Sequence, residues 1–566
     1  MISRRELFDR SWRYAVALAM GSLAGEWWSP PDAEAATLRY INKSLTTGAN
    51  NGTSAADAYR GPNALERFRA GSGSSTVDRV IFQGGGVYQE AFSTAATRVK
   101  TDISFTAATR TIASASSNFT TLGFQSGDII RVSGSLSNDR QFTVDTVGTT
   151  TMTVVASNIL TEEAAGEGVN IVDLTRGSNI AGLDPGGNAT AARPRVWQFN
   201  GAEIDAGVDL DSWHGYSWTP SPARPDEWYV TRSDGSNPSL QRVYSGVIDG
   251  AFVCDASDIT MQMGTVGALD GRSVWGWGDN DSLGFSTLYM YSPSVNPNGL
   301  TVRAGQLPAC IATSWEYHSW EDGIFSLANR YAAITSGMCL RNGGAQQWWA
   351  KRCVARWATF HGFEGGKLRC DACLTYWTGH RGYAQGGSAT MEVYHCVDRG
   401  SHLFALISSS STGTLIVRNC ISSGNEAGAI YKQGAGGTLI EDHNLWYPAF
   451  GASGAALGYI GTANWSITHS TDFPPAAATT ISTPVGIILA GGENPYLLAG
   501  DIDTLSDVSL VRAGLKLQST SGGKWSGTPV PFVKDYRSRR FSPSHPSRGM
   551  YEFGAGDPAG TRNLRP

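Results

Sequence analysis

Lys351-Arg352-Cys353-Val354, Asp371-Ala372-Cys373-Leu374, Tyr394-His395-Cys396-Val397, Arg418-Asn419-Cys420-Ile421 and Asp442-His443-Asn444-Leu445 fall into register on four cysteines and one asparagine, spaced by 20, 23, 24 and 24 residues. Five residues before each anchor stand Trp348, Leu368, Met391, Leu415 and Leu439, and three before stand Ala350, Cys370, Val393, Val417 and Glu441. These two positions keep the strand period of two, so they share one face. The next apolar residue, Val354, Leu374, Val397, Ile421 or Leu445, follows the anchor directly and breaks that alternation. A chain that bends at the anchor and opens a second short strand does this. A near-constant repeat of short strands and turns is the pattern of a solenoid, with equivalent side chains piled in columns about 4.8 Å apart.

Cysteine suits a buried column because it packs as a small apolar residue, and Asn444 is able to continue the column by bonding to backbone at the turn. Of the eight cysteines, the four in register are therefore read as ladder, not as disulfides or chemistry. Cys370-Asp371-Ala372-Cys373 spells C-x-x-C, but zinc or redox use needs a second ligand pair or a helix start, and neither is evident. Cys370 falls instead in the column of Val393 and Val417.

Bulk composition agrees with this reading. Of 566 residues, 68 are glycine and only 16% are charged, too apolar for disorder and too glycine-rich for a helical protein. A net charge of −5, without a long basic run, gives nucleic acid no purchase. No apolar stretch is long enough for a membrane span. Ser3-Arg4-Arg5-Glu6-Leu7-Phe8, a weakly apolar Tyr14–Gly25 and Ala33-Glu34-Ala35 resemble a twin-arginine export signal with its cleavage site. This implies a secreted or periplasmic protein exported already folded.

Further segments carry a family resemblance. Tyr40-Ile41-Asn42 with Thr47-Gly48-Ala49-Asn50-Asn51-Gly52-Thr53-Ser54 resembles the opening strand and turn, ahead of a capping helix, of pectate-lyase-like secreted proteins. Val80-Ile81-Phe82 … Gly86-Val87-Tyr88 is similar to their first coil, and Leu288-Tyr289-Met290-Tyr291 … Asn296-Pro297 to a mid-chain strand and turn. Ser509-Leu510-Val511-Arg512-Ala513-Gly514 and Gly549-Met550-Tyr551-Glu552-Phe553 resemble their closing segments. The resemblance implies an all-β chain folded as a right-handed parallel β-helix. Residues 101–174, with alternating runs such as Phe142-Thr143-Val144 and Met152-Thr153-Val154-Val155, resemble a small β-barrel module of bacteriophage tail and secreted bacterial proteins, here an insertion. The expected organisation is a signal at 1–35, cap and first coils at 36–100, the barrel at 101–174, the β-helix at 175–455 and last coils with a C-terminal cap at 456–566. Irregular spacing of Trp213, Trp218, Trp228, Trp275 and Trp277 within 175–300 suggests long loops decorating the coils.

Such a fold presents a long groove suited to a polymer. Behind the anchors recur Gly362-Phe363, Gly382-Tyr383, Leu403-Phe404 and Ala429-Ile430, preceded by His361, His380-Arg381, His402 and, a little ahead, Glu426; Glu321-Asp322-Gly323-Ile324 is a candidate earlier member. Imidazoles at similar places in consecutive coils read as a proton-transfer cluster. In polysaccharide lyases a base removes the proton alpha to a uronate carboxylate while a cation stabilises the developing charge. His361, His380 or His402 fits the base, and Arg381 or Arg399 the carboxylate clamp. A repeating fold also stacks like residues without any chemistry. Asp398, Glu426 and Glu321/Asp322 open a rival hydrolytic reading, which needs two carboxyls across one groove. Trp377 and Lys432 are candidate substrate contacts; Trp348 belongs to the inward column, and His395 and His443 to turns. Calcium is open as a cofactor, although no D-x-D-x-D-G loop is present and no metal ligand is assigned. The expected activity is β-elimination of an acidic extracellular polysaccharide. The alternative is a non-catalytic glycan-binding spike or adhesin, trimeric if a spike.

Overall fold

The computed structural model describes residues 37–481 apart from connections, of which 175–188, 233–244, 255–262, 279–286, 330–336, 449–457 and 470–479 are the longest. The expected signal at 1–35, the closing segments beyond residue 500 and the C-terminal cap lie outside the described residues.

The described chain is almost wholly β, with one α-helix, Ala64–Ala70. Twenty-five of its described strands run parallel in three sheets that the chain visits in turn. His318–Glu321, Ile324–Ser326 and Met338–Asn342 begin one in each sheet; Trp348–Lys351, Val354–Arg356 and His361–Gly365 pair beside them, followed by Leu368–Asp371, Leu374–Tyr376 and Arg381–Gln385. The next sets are Thr390–Tyr394, Val397–Arg399 and Phe404–Ser408, then Thr414–Arg418, Ile421–Asn425 and Gly428–Lys432.

The first-sheet strands keep the expected alternation. Leu415 and Val417 enter the core while Thr414, Ile416 and Arg418 stay partly exposed. The corner is made by the residue before each anchor: Asp322, Arg352, Ala372, His395 and Asn419 all take the left-handed conformation, with φ between 52° and 58°. A second such residue, at Leu327 (φ 58°), Trp357 (57°), Trp377 (47°) or Gly400 (66°), closes the second-sheet strand after three residues. Two left-handed corners bracketing one short strand explain why the apolar pattern slips by one at the anchor.

The anchors do form a column. Cys353, Cys373, Cys396, Cys420 and Asn444 are buried, and the described cysteines are unbridged. Each anchor donates to a carbonyl of the preceding turn: Cys373 Sγ to Ala350 O (3.3 Å), Cys396 Sγ to Cys370 O (3.4 Å), Cys420 Sγ to Val393 O (3.4 Å) and Asn444 Nδ2 to Val417 O (3.0 Å). Each of the last three also accepts from the anchor below, whose backbone N–H points at Cys396 Sγ, Cys420 Sγ or Asn444 Oδ1. Asn444 thus replaces a thiol by reproducing both of its bonds. Cys370 pairs with Val393 inside the same core, as its column requires.

The first turns carry the bulkiest core. Trp197 stacks on Trp320 at 5.3 Å, Trp348 meets Trp320 edge-on at 5.3 Å, and Phe68 of the single helix packs edge-on against Trp197 at 5.6 Å. The helix therefore packs against this part of the core.

Two excursions interrupt the cycle. Between Val87–Tyr88 and Arg195–Gln198 the chain forms a six-stranded antiparallel sheet running from Ile103–Thr106 to Asn170–Asp173, with its own apolar core around Phe105, Phe142 and Ile171. Between Glu203–Asp205 and Ala309–Ala312 lie two more sheets, of four and five strands, antiparallel except where Met263–Gly264 pairs parallel with Trp275–Gly278. The described residues of 207–300 are therefore largely strands, not the long loops expected within 175–300 from tryptophan spacing. Trp218 and Trp228 sit on adjacent paired strands, Tyr216–Pro220 and Glu227–Arg232, and pack in a separate cluster with Leu288 and Met290. Strands meeting partners tens of residues away leave no local period to read.

Candidate active site

Pairing in the third sheet places His361 beside Arg381, and Arg381 beside Phe404. The imidazoles are consequently not equivalent: His380 stands one residue earlier than His361 in register. The ladder runs in register from Phe363 to Tyr383, Leu406 and Ile430, so Leu403-Phe404 is displaced by two residues from the alignment drawn on sequence. Asp322-Gly323-Ile324 is likewise not a third-sheet element. Asp322 is a left-handed corner, and Ile324 pairs with Val354 in the second sheet.

His361, His380 and Arg381 nevertheless meet. Arg381 Nη1 lies 3.1 Å from His361 Nε2, and His380 Nδ1 lies 3.4 Å from the same nitrogen. An arginine only donates, so Nε2 must accept, and the proton of the neutral ring resides on Nδ1. That Nδ1 lies 2.7 Å from Glu364 Oε2. Phe360 stacks against both imidazoles, 3.9 Å from His361 and 4.5 Å from His380, whose own rings are 5.6 Å apart. Arg341 of the neighbouring strand reaches Glu364 at 3.8 Å. Burial holds the His361 imidazole below its usual range, Glu364 pulls it up, and Arg381 and Arg341 push it down. The result is a neutral imidazole oriented by a carboxylate, with an arginine at its free lone pair. His361 and His380 are 4% and 9% exposed, while Arg381 is half-buried.

Glu364 had no sequence signal. Three residues apart on a regular strand, His361 and Glu364 point to opposite faces. The ladder pairs His361 with Arg381 and Phe363 with Tyr383 but skips Gly362 and Gly382, whose missing side chains leave room for Thr375 and Asp398 close behind. That irregularity brings the pair to one side.

The remaining candidates are dispersed. Asp398 is 2% exposed and accepts hydrogen bonds from the Thr375 and Ser401 hydroxyls. It stands in the column of Ala355 and Thr375, which faces the core, so it presents no carboxylate to a groove. Arg399 is buried in the second sheet beside Tyr376. Trp377 is half-buried and stacks against Tyr376 at 5.5 Å. Lys432 ends the strand Gly428–Lys432, paired with Ser408. His402, Glu426 and His443 lie outside the described residues. Trp348 and His395 are fully buried, in the core and at a corner as expected.

A second charged cluster was not foreseen. Arg356 Nη2 donates to both oxygens of Glu203 at 3.0 Å and its guanidinium covers the Trp357 ring at 3.8 Å. Arg303 bridges Asp205 (3.1 Å) and Asp209 (2.9 Å). Burial pushes Glu203 up, but Arg356 and Arg303 outweigh it and hold the carboxyl low; burial and the adjacent Glu203 push Asp205 up against the pull of Arg303. These residues tie the second sheet to the antiparallel excursion and are already charge-paired.

No protein-family model matches the chain, and neither does any curated protein. No helix among the described residues is long and apolar enough to cross a membrane.

Proposed function

We propose that the three parallel sheets are the faces of a right-handed parallel β-helix, that residues 101–174 are a small β-barrel inserted in it, and that the protein is an exported enzyme cleaving an acidic polysaccharide by β-elimination. The observation that carries the reading is the His361–Glu364–Arg381 contact. Elimination needs a neutral base and a cation for the uronate carboxylate, side by side. Arg381 turns from His361 Nε2 to the substrate carboxylate, which acidifies the neighbouring C–H and frees the base. His361 Nε2 takes the proton from C5, the C4–O bond breaks, a C4=C5 double bond forms, and the departing oxygen takes a proton from solvent water while His361 later returns its own to solvent. Glu364 holds Nδ1–H and stabilises the imidazolium.

Incubation with a panel of uronate polysaccharides tests this. Ultraviolet absorbance of unsaturated uronate is expected, with His361→Ala lowering kcat by about 10²- to 10⁴-fold. Reducing sugar without that absorbance would mean hydrolysis. The burial of both imidazoles, His361 at 4% and His380 at 9% exposure, favours a second reading, a non-catalytic glycan-binding spike or adhesin, which predicts binding without any product.

A further inference from the structure

A cavity of about 110 Å³ opens where the first turn, the six-stranded sheet and the antiparallel excursion meet. Its walls carry Lys43, Arg131, Arg140 and Asn170 with the apolar faces of Val172 and Val208. It shares no residue with the His361 site.

Its polar groups are left incomplete by the protein. Lys43 Nζ donates to Val87 O at 2.7 Å and has no carboxylate within ion-pair distance among the described residues. Arg131 donates to Gln89 O at 2.7 Å and to Gln306 Oε1, both uncharged, and it also has no ion pair there. The acids that reach Arg131 electrostatically include Asp205 and Asp209, and Arg303 already bridges both. Burial lowers the Arg131 pKa, a mark of a charge short of compensation. Asn170 is 3% exposed, and its Oδ1 has no hydrogen-bond partner. A buried acceptor left unmade costs about 1–3 kcal/mol. One acid lines the cavity, Asp139, and it accepts from Ser135 N–H at 2.6 Å; burial raises it to about 6.

We infer that this cavity binds a small hydroxycarboxylic acid, its carboxylate set against Lys43 and Arg131 and a hydroxyl donating to Asn170 Oδ1. Two cations without ion-pair partners select an anion, and a buried lone acceptor selects an O–H on the same molecule. A cavity of this size suits a small acid of a few carbons.

Calorimetric titration of the full chain with D-glycerate, glycerol and acetate tests the assignment. Saturable one-to-one binding of glycerate is expected, with glycerol and acetate at least ~10-fold weaker. Lys43→Met, at a half-buried position that leaves the core intact, should weaken glycerate by ~10-fold or more. Asn170→Leu should bring glycerate down to the affinity of acetate, with the circular dichroism of both variants unchanged. Absence of saturable glycerate binding, glycerol binding as tightly as glycerate, or a Lys43→Met protein that binds glycerate normally would overturn it.

Discussion

Histidines occupy three different environments. His395 forms a buried corner, His361 is clamped by a carboxylate, and His318 lies wholly inside the core. Trp197 Nε1 donates to His318 Nδ1 at 3.1 Å, which that nitrogen can accept only when unprotonated. Burial, aided by Arg195, holds the His318 pKa well below its usual value. The unfolded chain gains a proton at this residue near pH 6.5 while the folded chain does not, so acidification favours unfolding. Stability should fall by about 1.4 kcal/mol per pH unit as pH drops below 6.5 through this one group. His318→Gln retains an acceptor for Trp197 but cannot titrate. Urea midpoints between pH 7.5 and 5 should lose one proton's worth of slope in the variant. An unchanged slope would show that His318 is protonated in the folded protein. At this scale the sequence was informative about residue type and silent about partners. His361, His380 and Arg381 stood out by recurrence, whereas Glu364 is hidden by strand parity and the Glu203–Arg356 pair by a separation of 153 residues.

The element that repeats is a corner, a three-residue strand and a second corner, and its columns made it legible from Trp348 to Leu445. The anchor matters because it serves two backbone groups of the turn below, which otherwise lie buried and unmade. Asn444 makes the same two bonds as the cysteines before it. Asn444→Cys should consequently cost less than ~1 kcal/mol, whereas Asn444→Leu orphans the Cys420 N–H and the Val417 carbonyl and should cost about 1–3 kcal/mol each. Chemical denaturation of the two variants measures the difference; equal losses would mean that the column works by packing alone. The cost of the corners is visible in residue choice. His and Asn stand at two left-handed positions, but Ala372 and Arg352 do as well. Residue identity therefore did not mark the corners on sequence, and the slip in apolar pattern did.

Across the whole molecule, legibility follows contact distance. From residue 318 onward each turn pairs with the next, and a period survives. Ahead of it, Arg79–Phe82 pairs with Arg195–Gln198, and that strand with His318–Glu321, so neighbours in space are separated by an entire excursion. The same excursions build the cavity at Lys43 and Arg131 and supply Arg303 to the second sheet, which is why neither cluster could be assembled from motifs. Both the proposed elimination site and the acid-binding cavity depend on strands being stacked in this order. Spin labels at Gln198→Cys and Arg418→Cys, both half-buried positions on the first sheet, measure the stack, since the described native cysteines are buried. Five strand steps separate the two positions, through Glu321, Lys351, Asp371 and Tyr394. Pulsed electron resonance should find a narrow distance distribution centred near ~24 Å, five spacings of about 4.8 Å. A broad distribution, or one centred beyond ~35 Å, would contradict continuous stacking from the first turns to the fourth anchor.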